Sequence, residues 1–286
     1  MASARDFQRQ INTVKNQARV FSALQTVSSV KFRKAEARVR RARPYAENVE
    51  QMMRDVAGSA SGDLPLLTGR EVSRVAVCTL TADRGLAGGF NAQVLRRTVR
   101  LRDEKDPGAL QVASGRKAVA FFRFRRVELA EVFTGFTDNP TYEKAREIGR
   151  TLTHLFDEEE ADEVYLVYNR FESVLNQRPV VKRLLPVAQE EDEEEGNGTS
   201  YMEYVPDAET VLKRLVPRYV ETMVWQALLE GAAGEHGARM TAMKNATDNA
   251  NDLVSDLTLQ MNKARQAQIT QEILEIVGGA EALSAG

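Results

Sequence analysis

Residues that could do chemistry are concentrated first in a glycine-rich loop at residues 81–91, Thr-Ala-Asp-Arg-Gly-Leu-Ala-Gly-Gly-Phe-Asn. A glycine-rich turn from a strand into a helix is a common phosphate-binding site, because backbone amides converge on the anion there. This loop matches neither G-x-G-x-x-G nor the Walker A pattern, and no Lys-Ser/Thr pair follows it. We therefore interpret the loop as a tight structural turn or a partner surface, with Asp83 and Arg84 either paired or capping the following helix.

A second candidate is the row formed by Asp248, Asp252 and Asp256, which repeats every four residues. Such a row lies on one helix face, and paired carboxylates can serve acid–base or metal chemistry. On a long helix beside a basic segment, electrostatic pairing or solvation is the better interpretation. His154 is expected at the surface, and three glycines near His236 are expected to loosen its helix. Neither histidine has a serine or cysteine partner in a motif, so we expect no catalytic residue, no metal site and no cofactor.

The composition excludes several classes of protein. The chain has 286 residues, of which 43 % are hydrophobic and 28 % charged, with a net charge of −2. These values are typical of a soluble protein with one large or two small domains. The single cysteine, Cys78, excludes an intrachain disulfide and a multi-cysteine zinc site, and its apolar neighbours predict burial. No apolar run reaches the ~18 residues of a membrane span, and the polar start does not resemble a signal peptide, which predicts a cytoplasmic protein.

The two ends of the chain differ from its middle in proline content and charge. All eight prolines lie outside the first 43 and the last 69 residues, and proline disfavours helix interiors. Residues 1–43 carry 11 Lys/Arg against two acidic residues, whereas residues 218–286 carry five against nine. Helical ends of opposite charge would attract each other if they lay side by side. We predict long helices from the N-terminus to about Arg54 and from about Asp207 to about Val277.

Both ends carry apolar residues at alternating three- and four-residue steps, the spacing of a coiled-coil seam. Many of these residues are alanine, which lets two helices approach closely. The two ends are therefore predicted to pair with one another. The N-terminal stripe consists of Phe7, Ile11, Val14, Ala18, Phe21, Phe32, Ala35, Val39 and Ala42, interrupted by Gln25 and Ser28. The C-terminal stripe consists of Met243, Ala246, Ala250, Leu253, Leu257, Ala264, Ala267 and Leu274, interrupted by Gln260 and Gln271.

The middle of the chain predicts a mostly parallel α/β sheet, because strand-like and helix-like stretches alternate there. The predicted fold is an α/β (Rossmann-like) domain at 70–206, inserted between long helices at 1–56 and 207–286. Residues 174–185 and 201–204 are expected to form edge strands. The other predicted strands are 72–80, 110–114, 128–133 and 163–168, and the predicted helices lie near 91–104, 116–124 and 141–157.

Two runs of like charge need an interpretation. The acidic loop at 190–198 is interpreted as a solvated turn. The run at 31–43 holds seven Lys/Arg, which taken alone could bind a phosphate backbone. Because no nucleic-acid fold signature surrounds it, docking on an acidic protein surface is the favoured interpretation. A basic coiled-coil adaptor that binds nucleic acid through residues 31–43 is the alternative.

Five stretches carry a resemblance to a known family. Residues 238–250, Ala-Arg-Met-Thr-Ala-Met-Lys-Asn-Ala-Thr-Asp-Asn-Ala, are similar to the gamma subunit of F-type ATP synthases, and residues 262–280 resemble that family's C-terminal signature. Residues 43–47, 83–91 and 135–140 agree with the same family. The resemblance covers essentially the whole chain, in order. It departs from the family at Leu24 and Phe32, where methionine is common, and at Ala87, where cysteine is common.

This resemblance implies that the terminal helices form an antiparallel coiled coil, the central shaft within a ring of three α and three β subunits. The α/β domain would lie against the epsilon subunit and the membrane ring of c subunits, on the cytoplasmic face of a bacterial plasma membrane. Ion flow would turn the c ring and the shaft, whose asymmetry would drive the three β subunits through different conformations in sequence. Catalysis would belong to the β subunits, so this chain would be a non-catalytic subunit.

The resemblance also implies which residues contact partners. Those expected to touch the ring of α and β subunits are Leu24, Lys31, Arg239, Arg265, Gln266, Thr270 and Glu275. Those expected near the epsilon subunit or the c ring are Tyr201 and Tyr204. Neither a nucleic acid nor a membrane span of its own is expected for such a chain.

Overall fold

The computed structural model describes residues 4–59, 69–187 and 208–284. The chain divides into two compact units, one formed by Met1–Val27 with Met240–Gly286 and the other by Ser28–Arg239. In chain order the elements are α1 (Ala4–Ser59), β1 (Val75–Leu80), α2 (Phe90–Lys105), β2 (Leu110–Ser114), α3 (Arg116–Phe124), β3 (Leu129–Phe133), α4 (Tyr142–Asp157), β4 (Glu163–Phe171), β5 (Gln177–Leu185) and α5 (Ala208–Ser284).

The second unit is built on a five-stranded sheet with the strand order β3-β2-β1-β4-β5. The first four strands are parallel, and β5 runs antiparallel to β4 at the edge. The predicted mostly parallel α/β sheet is therefore confirmed, as is the edge position of the stretch that forms β5. The predicted edge strand at 201–204, the acidic loop at 190–198 and the predicted helix start at Asp207 lie outside the described residues.

Helices cover both faces of this sheet, as the continuous apolar sequence of β1 requires. Successive side chains of a strand point to opposite faces, so Cys78 and Val77 belong to different layers. On the Cys78 face pack α4, represented by Leu152, together with the parts of α1 and α5 that belong to this unit, such as Met53 and Val224. On the Val77 face packs α2.

The predicted domain boundaries, 1–56, 70–206 and 207–286, divide the chain by consecutive segments and stay a prediction. The two compact units instead group residues by their packing.

Four strands differ in length from the prediction: β3 begins one residue later than predicted and β5 three residues later, at Gln177, and the bounds of β1 and β4 also differ. Strand β1 begins at Val75 rather than at residue 72, and β4 continues to Phe171 rather than ending at residue 168. The late start of β1 has a local cause. The backbone amides of Ser73 and Arg74 donate to the carboxylate of Asp162 at 3.0 and 2.8 Å, so this segment is held by a side chain.

Asp162 supports a prediction about acid stability. Burial alone would raise the pKa of this carboxyl, but the guanidinium of Arg70 and the amides of Arg74 and Ser73 outweigh it and lower the pKa to about 2. A carboxyl in an unfolded chain titrates near pH 3.9. The stability that charged Asp162 contributes is therefore present above about pH 4 and is lost as the pH falls from about 4 to about 2.

We expect Asp162→Asn to be less stable than the wild type at pH 7 and to depend less on pH between about 4 and 2. The measurement is urea unfolding followed by fluorescence of Trp225, the only tryptophan in the chain. Parallel loss of stability in both proteins across this pH range would contradict the assignment.

Helix α5 is continuous past the three glycines near His236, so they do not interrupt it, and their loosening effect stays a prediction. Two of the three glycines lie against aromatic rings. A Cβ atom at Gly234 would lie 2.9 Å from the ring of Phe90, and one at Gly237 would lie 3.5 Å from the ring of Phe32. Glycine is therefore needed at Gly234, where the ring of Phe90 approaches the helix backbone closely, whereas the distance at Gly237 is an ordinary van der Waals contact.

In the first unit, side chains with low exposure recur along both helical segments at the predicted spacing. On α1 they include Ile11 and Ala18, both buried, and the N-terminal stripe is confirmed as the less exposed face. On α5, Met243, Ala250 and Leu257 are buried. The helical segment 4–27 therefore presents the face that the sequence predicted.

The C-terminal stripe deviates from the prediction after Ala250. Leu253 is exposed and Val254 is half-buried, and beyond Ala264 every described side chain up to Ala280 is exposed, including the predicted stripe residues Ala267 and Leu274. Both a three-residue and a four-residue step from Ala250 fit a 3.5-residue repeat. Both positions, 253 and 254, carry an apolar residue, so spacing alone does not predict which of the two is buried.

Candidate partner-binding surfaces

The end of helix α5 is the most accessible of the predicted contact regions. All side chains from residue 265 to residue 280 are exposed. Four predicted contact residues, Arg265, Gln266, Thr270 and Glu275, lie in this stretch. Their described hydrogen bonds are local, such as that from the Thr270 hydroxyl to the Gln266 carbonyl at 3.0 Å.

The same stretch exposes large apolar side chains. These residues, each 46 to 72 % exposed, are Ile269, Ile273, Leu274, Ile276 and Val277. Ile269, Ile273 and Ile276 follow the three- and four-residue steps that place residues on one helix face. Exposed apolar side chains grouped in this way mark an interaction surface. We call residues 265–280 the C-terminal surface.

A shorter apolar face lies on α1 around Leu24. Val20 and Val27 are exposed and Leu24 is half-buried. The three residues are four and three positions apart, so they share one side of the helix. This arrangement is compatible with the predicted contact of Leu24.

Lys31 and Arg239, the other two predicted contact residues, meet in one cluster of charged groups within the second unit. The Lys31 ammonium pairs with the carboxylate of Asp138 at 2.5 Å. Asp138 also faces His236, and His236 faces Arg239. The Arg239 guanidinium pairs with Glu235 and donates to the carbonyl oxygen of Gly85 at 3.1 Å. We call Lys31, Asp138, Glu235, His236 and Arg239 the His236 cluster.

Sequence reasoning missed this cluster, because its members come from three distant parts of the chain. Asp138 and Glu235 are not among the predicted contact residues, and for His236 the sequence analysis found no serine or cysteine partner in a motif. The available signal was the four-residue step between Glu235 and Arg239, which places an ion pair beside His236. In the structure the guanidinium of Arg239 is engaged within the chain, and its contact with the β subunits stays a prediction.

The glycine-rich loop is held by Asp83. Its carboxylate accepts hydrogen bonds from the amides of Gly135 and Thr137 at 2.9 and 3.1 Å and from the amide of Arg116 at 3.1 Å. Burial opposes ionisation of Asp83, but these donors together lower its pKa. Asp83 thus caps α3. The prediction that Asp83 caps the helix after the loop, or pairs with Arg84, was wrong.

The N-terminus of α3 is therefore already occupied by side chains of the chain itself. Besides the Arg116 amide, the Ala118 amide donates to the hydroxyl of Thr81 at 2.8 Å. Amides satisfied in this way are not free to cradle a phosphate. Within residues 81–91 themselves, the Ala82 amide donates to the Asn91 side chain and the Asp83 amide donates to the Thr137 hydroxyl, both at 2.8 Å, which favours the interpretation of this loop as a structural turn.

Part of the basic run at 31–43 also serves the fold. Arg38 donates to the Asn139 side chain and to the Pro140 carbonyl, both at 2.6 Å. Arg43 donates to the Phe171 carbonyl at 3.0 Å and pairs with buried Glu230 at 3.3 Å. Together with Lys31, and with Arg40, which pairs with Glu36 at 2.9 Å, at least four of the seven basic side chains in this run bind groups of the same chain.

The remaining candidates for chemistry are separate from one another. Across residues 4–59, 69–187 and 208–284, no group of three or more His, Cys, Asp or Glu is arranged to hold a metal ion. His154 is exposed, as predicted. Cys78 is fully buried, also as predicted, and burial raises the pKa of its thiol to about 12.

The aspartate row is solvent-exposed. Asp248, Asp252 and Asp256 are all accessible, and Asp248 pairs with Lys244 at 3.3 Å.

None of the helices in the described ranges contains a stretch apolar enough to cross a membrane. Tyr201 and Tyr204, the predicted contacts for the epsilon subunit or the c ring, lie outside the described residues.

Comparison with known proteins decides the family. A family model described as ATP synthase matches residues 3–283. The chain is 69 % identical to the ATP synthase gamma chain of Rubrobacter xylanophilus, over the full length of both proteins. The chain belongs to the ATP synthase gamma chain family. A second gamma chain, from Moorella thermoacetica, is 47 % identical over 99 % of this chain and all of that protein.

Solved structures show the same fold as this gamma-chain family member. It resembles a chain in the central stalk/c-ring structure of Tetrahymena thermophila mitochondrial ATP synthase with a TM-score of 0.60 and 21 % identity, covering 79 % of this chain and 99 % of that one. It resembles a chain in the OSCP/F1/c-ring structure of Euglena gracilis mitochondrial ATP synthase with a TM-score of 0.68 and 19 % identity, covering 99 and 95 %.

Proposed function

We propose that this chain is the central rotor shaft of an F-type ATP synthase. It couples c-ring rotation, driven by ion flow, to sequential conformational change in three catalytic β subunits. The observation that carries the proposal is the full-length 69 % identity to a gamma chain. The C-terminal surface agrees with it, because an exposed helix end with grouped apolar side chains needs a surrounding partner.

The helical segments of the first unit pair as an antiparallel coiled coil. Supporting observations are the recurrence of buried residues on both segments, Ile11 and Ala18 on α1 and Met243, Ala250 and Leu257 on α5. The seven-residue intervals between them are those of a coiled-coil seam. Small alanine layers permit close approach, and the exposed faces remain available to the ring of α and β subunits.

Rotation acts on the β subunits as a moving population shift. A single asymmetric rod meets three equivalent subunits and presents a different face to each, so it stabilises a different conformation in each. Only a difference in contact energy between conformations can drive this shift. Exposed polar residues such as Arg265, Gln266, Thr270 and Glu275 suit contacts that must form and break in every turn.

The partners that follow from this role are three α and three β subunits, the epsilon subunit and the c ring. The chain is then a non-catalytic, peripheral subunit on the cytoplasmic face of a bacterial plasma membrane. Tyr201 and Tyr204 remain the predicted contacts for the epsilon subunit or the c ring. The nucleic-acid alternative loses support, because Lys31, Arg38 and Arg43 bind groups of the chain itself.

The composition of the complex tests the proposal directly. The tagged chain is purified from its own membranes in mild detergent, and the subunits are counted by native mass spectrometry. We expect one copy of this chain with three α and three β subunits. A homodimer, or the chain with nucleic acid and without ATPase subunits, would refute the rotor role.

Removal of residues 277–286 is expected to weaken coupling far more than folding. The described side chains at this helix end are exposed, so their loss removes no packing within the chain. The ratio of ATP synthesis to ATP hydrolysis in membrane vesicles measures coupling, and Trp225 fluorescence of the purified chain measures folding. A truncated chain whose second unit no longer folds would count against this division of roles.

A further inference from the structure

Two members of the His236 cluster hold the imidazole of His236 between them inside the second unit. The side chain of His236 is only 2 % exposed. Its Nε2 atom lies 3.3 Å from the carbonyl oxygen of Asp138 and 3.6 Å from one carboxylate oxygen of the same residue. Its Nδ1 atom lies 3.4 Å from Nη1 of Arg239.

This geometry selects one protonation state of the ring. A guanidinium has donors and no acceptor, so Nδ1 facing Arg239 must accept and carries no proton. A carbonyl and a carboxylate oxygen only accept, so Nε2 facing Asp138 must donate. The ring is therefore neutral, with its proton on Nε2. A second proton, on Nδ1, would face the positive charge of Arg239.

Charged groups from every neighbouring element act on this ring. Lys31 of α1 pairs with Asp138, and Glu235 of α5 pairs with Arg239. Asp83 and Arg84 of the glycine-rich loop act on Glu235 and Asp138 respectively. Burial lowers the pKa of His236, and the positive charges of Arg239 and Lys31 lower it further, so that together they outweigh the opposite effect of Asp138. Burial raises the pKa of Glu235, because it also disfavours the charged form of a carboxyl.

The cluster connects four parts of the second unit. Lys31 ties α1 to the Asp138 segment, and His236 ties that segment to α5. Arg239 ties α5 to the glycine-rich loop through the Gly85 carbonyl. Directional hydrogen bonds fix the angles between the helices and loops that they join. The apolar contacts in the same region, such as Ala238 near Phe90, do not fix these angles.

We propose that neutral His236 is a positioning residue that locks α1, α5 and the two loops into one rigid body, and that a proton on Nδ1 opens this lock. Acidification then displaces Arg239 from Gly85 and loosens the helices from the sheet. A role of this lock in torque transfer rests on the proposed function. Its role in holding the helices and loops together rests only on the contacts described above.

The first arm of the test uses the isolated full chain. Its two histidines give two sets of imidazole signals by NMR, which His154→Gln assigns. We expect His236 to titrate below the ordinary histidine pKa of about 6.5, with nitrogen shifts of the Nε2–H tautomer. A His236 that titrates at or above that ordinary value, or that carries its proton on Nδ1, overturns the lock.

The second arm uses the assembled complex in membrane vesicles. The amide of His236→Gln can donate to the Asp138 carbonyl and accept from Arg239, and it does not titrate. His236→Ala removes both bonds, and His154→Gln is the matched control. The readout is the ratio of ion pumping to ATP hydrolysis from about pH 8 to about pH 4.5, a range that extends well below the ordinary histidine pKa of about 6.5 because the pKa of His236 is lowered.

We expect the wild type and His154→Gln to lose coupling at acidic pH, His236→Gln to keep it, and His236→Ala to be poorly coupled throughout. Persistence of the acid loss in His236→Gln overturns the proposal, even if His236→Ala fails to assemble. The two proposals fail separately. A chain without α and β partners refutes the rotor role, whereas an assembled complex in which His236→Ala couples normally refutes only the lock.

Discussion

Replacement of Gly115 by alanine is expected to cost more than about 4 kcal/mol of unfolding free energy, the range of severe substitutions. Gly115 joins β2 to α3 with a φ of +90°, a conformation that side chains rarely adopt. A Cβ atom there would lie 2.2 Å from the carbonyl oxygen of Thr81. That backbone cannot yield easily, because the Thr81 amide donates to Ser114 at 2.8 Å and its hydroxyl accepts from Ala118.

Gly135→Ala is the matched control for Gly115→Ala. Gly135 has a φ of +89°, but a Cβ atom there would have no neighbour within 4 Å. Alanine at this position carries only the conformational cost, about 1–3 kcal/mol. Urea unfolding followed by Trp225 fluorescence measures both variants. Equal destabilisation by the two substitutions would show that the contact with Thr81 is not decisive.

The second large effect is expected for Glu235→Ala. Glu235 and Arg239 form an ion pair one helical turn apart, with side chains only 2 and 9 % exposed. Removal of the carboxylate leaves the Arg239 guanidinium buried without its counter-charge. Breaking a buried pair in this way costs about 3–5 kcal/mol, since the remaining charge loses both its hydration and its partner.

Glu36→Ala isolates the contribution of burial. Glu36 and Arg40 have the same order and spacing on α1, with an N–O distance of 2.9 Å, but their side chains are 28 and 77 % exposed. We expect this substitution to cost no more than about 0.5 kcal/mol. Both variants lie in the second unit and are compared by the same urea unfolding. Similar losses from the two would contradict the argument from burial.

Local pattern was enough to predict the sheet and most helices. β2 and α3 occupy the predicted residues, because β-branched and apolar runs bounded by glycine define short strands and helices. The stripe on α1 was also predictable, since Ile11, Ala18 and Phe32 leave one clear apolar face. A single dominant periodic signal specifies which side of a helix is covered.

Local pattern was not enough where two physical effects share one sequence signal. Leu253 and Val254 both fit a coiled-coil step, and only the packed neighbour decides which of them is covered. Glycine at 234 weakens an isolated helix, yet it also admits the ring of Phe90. The position of that ring depends on tertiary packing, which local spacing does not encode.

The candidate site was predictable only in part for the same reason. The C-terminal surface follows from a helix that extends beyond the buried stripe. The fold brings residue 31, residue 138 and residues 235–239 together in the His236 cluster. These residues are far apart in the chain, so local spacing does not predict the cluster. Arg239 was singled out from the family resemblance, whereas its bonds to Glu235 and Gly85 required the structure.

The burial of Cys78 has a practical consequence for chemical labelling. Its thiol is fully enclosed in β1, and burial keeps it protonated at neutral pH. Maleimides and other thiol reagents react with the accessible thiolate, so the folded wild-type chain offers them no target. A cysteine introduced at an exposed position such as Leu274 would be the single reactive thiol. Fluorophores or cross-linkers could then be attached at chosen points without first removing the native cysteine.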